Sequence, residues 1–471
     1  MKRFLCLGTV LVLVVLWSAC GDVFRPIIIP NPQQFPNPQA AHTVVAISDN
    51  GTIVNGSAMV VDVSGDADSS QRSVGLRPVH AVQQTASVVL VVDQSVPGAA
   101  SESLSRLTFS GVGIGSITTT TLPTGSAPNF VATTESTQAY VSLPQYVNPT
   151  SGTVVPSVAV VNTQSNSLVA TIPVGNNPVA IAETPNATKL YVANQGDGTL
   201  SAFNTSDRSP RSITGTFNAP VWLSARSDSQ RLYVLNGNGV ISTIDTSTTA
   251  GPDNVIDASI SVPGAVYMWY DVILNRLYIP AGQQVTILDV SQSVPNVLAS
   301  ITIPTVSTTS RSAGDPCATT TAGPLSVTAV TSLPDASRAY VGAFYIDSLD
   351  NVCPQATVIT TSNNTIKTGV AIPGFPDATN PASVYYVPVC ASTRDQVGPA
   401  GNGNGFRMNM AAAGDSTRAY LSSCDGGNVN LIDTATDSYI LNIPLPYSVR
   451  PPIPPATLNP PQNPVFMIAG P

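Results

Sequence analysis

A short pattern that recurs along the chain constrains its fold more than any other feature. Thr184-Pro185-Asn186-Ala187-Thr188-Lys189-Leu190-Tyr191-Val192 is its clearest copy, and Leu333–Val341 reads Leu-Pro-Asp-Ala-Ser-Arg-Ala-Tyr-Val. Arg226–Val234, Thr133–Val141 and Ala413–Leu421 repeat it, and Asn275–Ile279 is a looser copy. The shared tyrosines fall at 140, 191, 233, 278, 340 and 420, at spacings of 51, 42, 45, 62 and 80 residues. A unit of about 42–50 residues, enlarged by insertions in its later copies, signals a propeller or a solenoid.

The content of one unit separates these two. An apolar stretch (Pro178–Glu183) leads into a turn, the Tyr-Val strand and a Gly/Asn turn (Asn194–Gly198). A third strand ends in Asn204-Thr205, as others end in Asp245-Thr246 and Asp433-Thr434, where a short polar side chain suits a turn. The unit closes on Val/Ile alternation, Leu168–Gly175. Four short strands without a helical period make a propeller blade. Composition agrees. The 471 residues hold three Lys and three Glu, too few polar long chains for amphipathic helices, but ample Val, Thr, Ser and Asn.

Leu-Tyr-Val-Ala-Asn, Asp-Thr and Thr-Ile-Pro-Val-Gly-x-x-Pro together resemble the YVTN-type, YncE-like β-propeller repeat. The resemblance is specific over Val158–Pro304, recognisable at Leu325–Val341 and Ala411–Pro444, and faint before residue 120. It implies an exported bacterial propeller, commonly of seven blades, and brings no shared catalytic motif. First strands near Pro78, Ala127, Pro178, Pro220, Ala265, Leu325, Phe406 and Pro464 give eight blades here, with seven the alternative if the faint region hides one irregular blade. Asn463–Pro471 leaves no room for a second strand, and His42–Ser48 is a strand with no first strand before it. The two ends are therefore expected to complete one blade and close the ring.

Lys2-Arg3 followed by an apolar run, Phe4–Trp17, reads as an export signal over residues 1–19; the run is shorter than a bilayer span. Ser18-Ala19-Cys20 resembles a bacterial lipobox, although Trp17 stands where that family prefers Leu. This implies acylation of Cys20, with more than one acyl chain for stable anchoring in a membrane of the cell envelope. Gly21 in the second mature position lacks the Asp that marks inner-membrane retention, so the outer membrane is preferred. Residues 20–41 form a Pro-rich linker, extended and semi-rigid, and the propeller occupies 42–471. The chain carries net charge −8, and removing residues 1–19 deepens the acid excess. With its few Arg scattered singly, the chain has no basic stripe, which excludes nucleic acid as a partner.

Four further cysteines in an exported chain point to disulfides. Cys317 precedes the first strand of its unit and Cys353 follows the second; Cys390 and Cys424 hold the same places in the next. Those connections share a face of a blade, so Cys317–Cys353 and Cys390–Cys424 are the expected pairs. Insertions at 305–323, 345–356 and 374–405 should project from that face, where long loops on a rigid scaffold carry binding function.

Catalytic chemistry is sparse. His42 and His80 are the only histidines, and no Gly-x-Ser-x-Gly elbow or zinc-type His pair occurs. Asp62–Asp68 gathers three acids without the Gly and closing Glu of a calcium loop, and reads as a turn. His80, Trp222, Tyr267 and Trp269 fall in inner strands and are candidates for the channel or its mouth. The expectation is a monomeric, non-enzymatic envelope lipoprotein without metal or cofactor that binds a protein, peptide or glycan. The alternatives are a lactonase-like or quinoprotein-like propeller enzyme and an assembly factor acting through blade edges.

Overall fold

A computed structural model of the chain describes residues 43–96, 102–383, 386–393, 405–445, 452–454 and 456–469. Eight sheets, each with an antiparallel four-stranded body, follow one another as the blades of a β-propeller. Blade 1 combines Thr43–Ser48, Ser57–Asp62 and Ala67–Ser73 with Pro464–Ala469 as its innermost strand. The inner strands of blades 2 to 8 begin at Pro78, Val131, Pro178, Pro220, Trp269, Ser326 and Met408. Eight blades, rather than seven, form the ring. The faint N-terminal region holds two regular blades whose second strands, Thr43–Ser48 and Val88–Asp93, lack the tyrosine that marks the others.

Closure joins the two ends of the chain. Val44, Val45, Ala46 and Ile47 pair with Ala469, Ile468, Met467 and Phe466. Val465, Phe466 and Met467 are buried, and Met467 packs with Val44 and Ala46 of blade 1 and Tyr420 and Leu431 of blade 8. Burial of such side chains stabilises by roughly 1.5–3 kcal/mol each.

The recurrent motif has a local cause. In four blades the threonine after the third strand donates its hydroxyl to a turn carbonyl between the first two strands: Thr205 to Ala187, Thr246 to Ser229, Thr361 to Ala336 and Thr434 to Ser416. All four acceptor residues lie in the left-handed region, φ 54 to 63°. In two of the four the preceding residue is an aspartate that binds its own turn, as where Asp245 Oδ1 accepts from Ser247 N at 3.0 Å.

Between blades, the basic residue two before the tyrosine reaches the next blade. Lys189 Nζ meets Asp253 at 2.8 Å, Arg338 meets Asp437 at 2.5 Å, and Arg418 meets Asp66 at 3.0 Å. Arg231 and Arg276 donate instead to carbonyls of Ser293 (3.2 Å) and Thr361 (2.7 Å). Five consecutive interfaces, from blade 4 round to blade 1, are latched in this way. Asp66, from the acidic 62–68 turn, is thus a latch partner.

Blade 4 departs from the pattern. Its outer strand is only Pro210–Arg211, and the chain then crosses to lie parallel, as Ile213–Thr214, along the outer strand Asp253–Ser261 of blade 5. Among the described residues no helix is long and apolar enough to cross a membrane.

Candidate functional site

Strand direction fixes two faces. Inner strands begin on the face that carries the connections between blades, and they end on the face of the Thr-Pro-Asn-type turns. Six rings close the channel near the beginning of the inner strands. His80 stacks on Phe130 at 3.8 Å, and the circuit continues through Trp222 (5.6 Å), Tyr267 (5.0 Å), Phe406 (5.2 Å) and Phe466 (5.8 Å) back to His80 (4.8 Å). Edge-on and offset geometries of this kind suit aromatic quadrupoles.

These rings floor a cavity of about 110 Å³ that extends to Pro185 and Pro334 in the turns and so reaches the turn face. Its wall is small and apolar at Ala132, Ala182 and Ala225. The sequence candidates His80, Trp222, Tyr267 and Trp269 all line it. Trp269 lies outside the ring circuit and donates Nε1 to Ser332 Oγ at 3.3 Å.

Sequence reasoning missed Phe130, Phe406, Phe466 and Glu183, which also line the well. A signal existed for two of the three phenylalanines. Pro128-Asn129-Phe130 and Pro464-Val465-Phe466 place a ring two residues after a proline, as Pro78-Val79-His80 and Pro220-Val221-Trp222 do.

Glu183 ends the inner strand of blade 4 and is 4% exposed. Its Oε2 accepts from Thr134 N at 2.6 Å, whereas the buried Oε1 has no protein partner among the described residues. Burial pushes its pKa up to about 7 despite the Thr134 hydrogen bonds, and nearby Glu135 adds to the rise. Chemically the well offers an apolar body, aromatic faces and one carboxyl.

The opposite face is the elaborated one. Cys317–Cys353 and Cys390–Cys424 are both bonded, with Cα separations of 5.8 and 5.7 Å. Asp347 lies beside the first pair, but sulfurs joined to each other offer no thiolate to a metal. In the 305–323 insertion, two 3-10 turns are held by buried Arg311, which donates to Ile372 O (2.8 Å) and Pro354 O (3.2 Å). The 345–356 segment is a tall hairpin, Arg338–Ile346 against Asn351–Thr360. In 374–405, Phe375–Pro376 pairs with that hairpin and Pro388–Ala391 forms one helical turn. Residues 384–385 and 394–404 of this insertion lie outside the described residues.

Buried Arg407, 4.9 Å over the Phe344 ring, binds Asp425 at 2.8 Å and Asp377 at 2.6 Å, tying this insertion to blade 8. The same face exposes Ile53, Val147, Val154, Leu349, Ile453 and Leu458 on its loops. Residues 1–42, with Cys20 and the linker, lie outside the described residues.

No protein-family model matches the sequence, and no curated protein matches it. Among solved structures it is similar to apo AztD from Citrobacter koseri, at 10% identity over 90% of this chain and 97% of that one, TM-score 0.56. It is also similar to the dihydro-heme d1 dehydrogenase NirN in complex with DHE (12% identity, 88% of this chain and 76% of that one, TM-score 0.53). The C-terminal WD40 domain of Sif2 gives 9% identity, 82% of this chain and 90% of that one, TM-score 0.50. At such identities the likeness is one of fold, and the class it defines is the β-propeller.

Proposed function

We propose that the chain is an exported, YVTN-type propeller, anchored through Cys20 in the bacterial cell envelope, that acts as a non-enzymatic binding module. Its partner is a protein bound on the elaborated face. One observation carries this reading: the face whose insertions are pinned by two disulfides and by buried Arg311 and Arg407 also exposes six large apolar side chains on its loops, of which Leu349 tops the hairpin that carries Cys353. Apolar side chains held out to solvent on a rigid frame suit the core of a protein interface. The disulfides suit an oxidising compartment outside the cytoplasm, as the export signal requires.

A photo-crosslinking residue placed at Leu349, on this face, should trap a partner in living cells. One placed at Ile273, in a turn on the other face and also exposed, should not. Equal adducts from both positions, or adducts from Ile273 alone, would overturn the reading. Cys20→Ser should abolish labelling by fatty acid and release the chain from membranes; retained label would refute the anchor.

A further inference from the structure

We propose that the central well is a binding site for a small primary amine with a compact apolar body, its ammonium held by Glu183. The proposal is independent of any partner on the opposite face.

Size sets the first limit. A cavity of about 110 Å³ is of the order that holds benzene, six heavy atoms in roughly 150 Å³, and this one is open toward the turns so that part of a ligand can project. The floor is aromatic, from His80 round to Phe466, and the middle of the wall is alanine. An apolar body of five or so carbons would rest there out of water.

Polarity sets the second limit. Glu183 carries a buried oxygen, Oε1, with no hydrogen-bond partner among the described residues, in a wall otherwise almost without charge. Leaving a buried carboxyl oxygen unpaired is costly, so a ligand that supplies a donor recovers stabilisation that the described residues do not provide. An ammonium supplies both donor and charge. It ionises the carboxyl, which burial otherwise discourages. A carboxylate ligand would meet Glu183 as a like charge and is excluded. An alcohol gains the hydrogen bond without the ion pair.

Isoamylamine, 3-methylbutan-1-ol and isovalerate share one branched body and differ in the charge of the head group. In calorimetric titrations of the purified full chain at pH 7.5, isoamylamine should bind at least tenfold more tightly than the alcohol, and isovalerate should not bind. Glu183→Gln should cost the amine at least tenfold and leave the alcohol unchanged. Ala225→Leu, which narrows the well and leaves the carboxyl in place, should weaken both. Equal affinity for amine and alcohol, or an amine affinity indifferent to Glu183→Gln, would overturn the proposal, as would no saturable binding of the amine. If Glu183→Gln fails to fold, the head-group comparison on the unaltered protein decides the matter.

Discussion

The two arcs of the ring share a fold and differ in how their blades adhere. From blade 4 round to blade 1, each interface carries a Lys or Arg latch, and carboxylates answer three of the five. From blade 1 to blade 4 the equivalent positions hold Thr43, Val88 and Gln138. There the described contacts across interfaces are mainly apolar, as among Val82, Leu90, Val131 and Val141, or hydrogen bonds without a cation, as where Gln84 Nε2 donates to Glu135 O at 2.9 Å and Thr134 N to Glu183 Oε2 at 2.6 Å, and the Arg77–Asp49 ion pair is long at 3.9 Å.

The buried carboxyls follow this division only in part, since burial also raises Asp271 and Asp425 within the latched arc. Burial would raise Asp253, but hydrogen bonds from Arg211, Lys189 and Tyr191 outweigh it and hold it below the usual range. Asp437 is likewise held low against burial by Lys367, Tyr340 and Arg338. In the unlatched arc, Asp93 has only Ser103, Ser105 and the Gly75 backbone against complete burial, and its pKa stands at about 7, like that of Glu183. One scaffold therefore holds two kinds of buried carboxyl, latched and unlatched by cations, which respond to pH in opposite directions.

The largest expected effect comes from the joint where the arcs meet. Removing Pro464–Ala469 takes the inner strand from blade 1, between one latched and one unlatched interface. Burial worth several kcal/mol is comparable with the ~5–15 kcal/mol net stability of a typical domain. The truncated chain should melt more than ten degrees lower or fail to fold; a melt within two degrees would mean that the ring closes without this strand.

Next in size is Asp253→Ala, which strands Lys189 and Arg211 in a buried site. Loss of one partner from a buried ion network costs about 3–5 kcal/mol. Urea denaturation should reveal it, and a loss under 1 kcal/mol would erase the distinction between the arcs.

The pH response is more gradual. Asp93 and Glu183 titrate near 7 in the folded chain but near ~3.9 and ~4.3 when unfolded, so between about pH 4 and 7 the folded state binds more protons. Their stabilising contribution is complete below the unfolded values and is lost as pH rises through 7, by up to ~1.4 kcal/mol per pH unit for each group. Asp253 and Asp437 run the other way, losing their contribution as pH falls below about 4. Melts of the Asp93→Asn, Glu183→Gln double variant should be flatter than the parent's between pH 5 and 8. An unchanged slope would refute the contrast.

Much of the fold was legible in the letters. The Asp-Thr spacing gave the blade because its threonine closes a hydrogen bond within one unit, and the tyrosine because it takes the same buried place in each second strand that carries it. The ring's closure was readable because the C-terminal strand had no partner of its own. Arg-Leu-Tyr and Arg-Ala-Tyr were equally visible, but the arginine acts on the next unit, and a pattern inside one repeat does not reveal a contact between repeats. The well was half legible. Tryptophan and tyrosine drew attention to inner strands, whereas Phe130, Phe406 and Phe466 looked like ordinary core, and Glu183 like the polar end of a strand. Only convergence of the inner strands gives these four a common surface.

Blade 1 draws its inner strand from the far end of the chain, and synthesis runs in one direction. At ribosomal rates of about 5–20 residues per second, the Thr43–Ser48 strand emerges roughly 20–80 seconds before Pro464–Ala469 exists. Throughout that interval its inner edge is open backbone flanked by side chains destined for burial, the kind of edge that invites adhesion to other chains. A nascent chain held extended until its last residues have crossed a membrane avoids the hazard, because first and last strands then become available together. Closure of blade 1 thus waits on the Pro464–Ala469 strand, whatever else has folded before it.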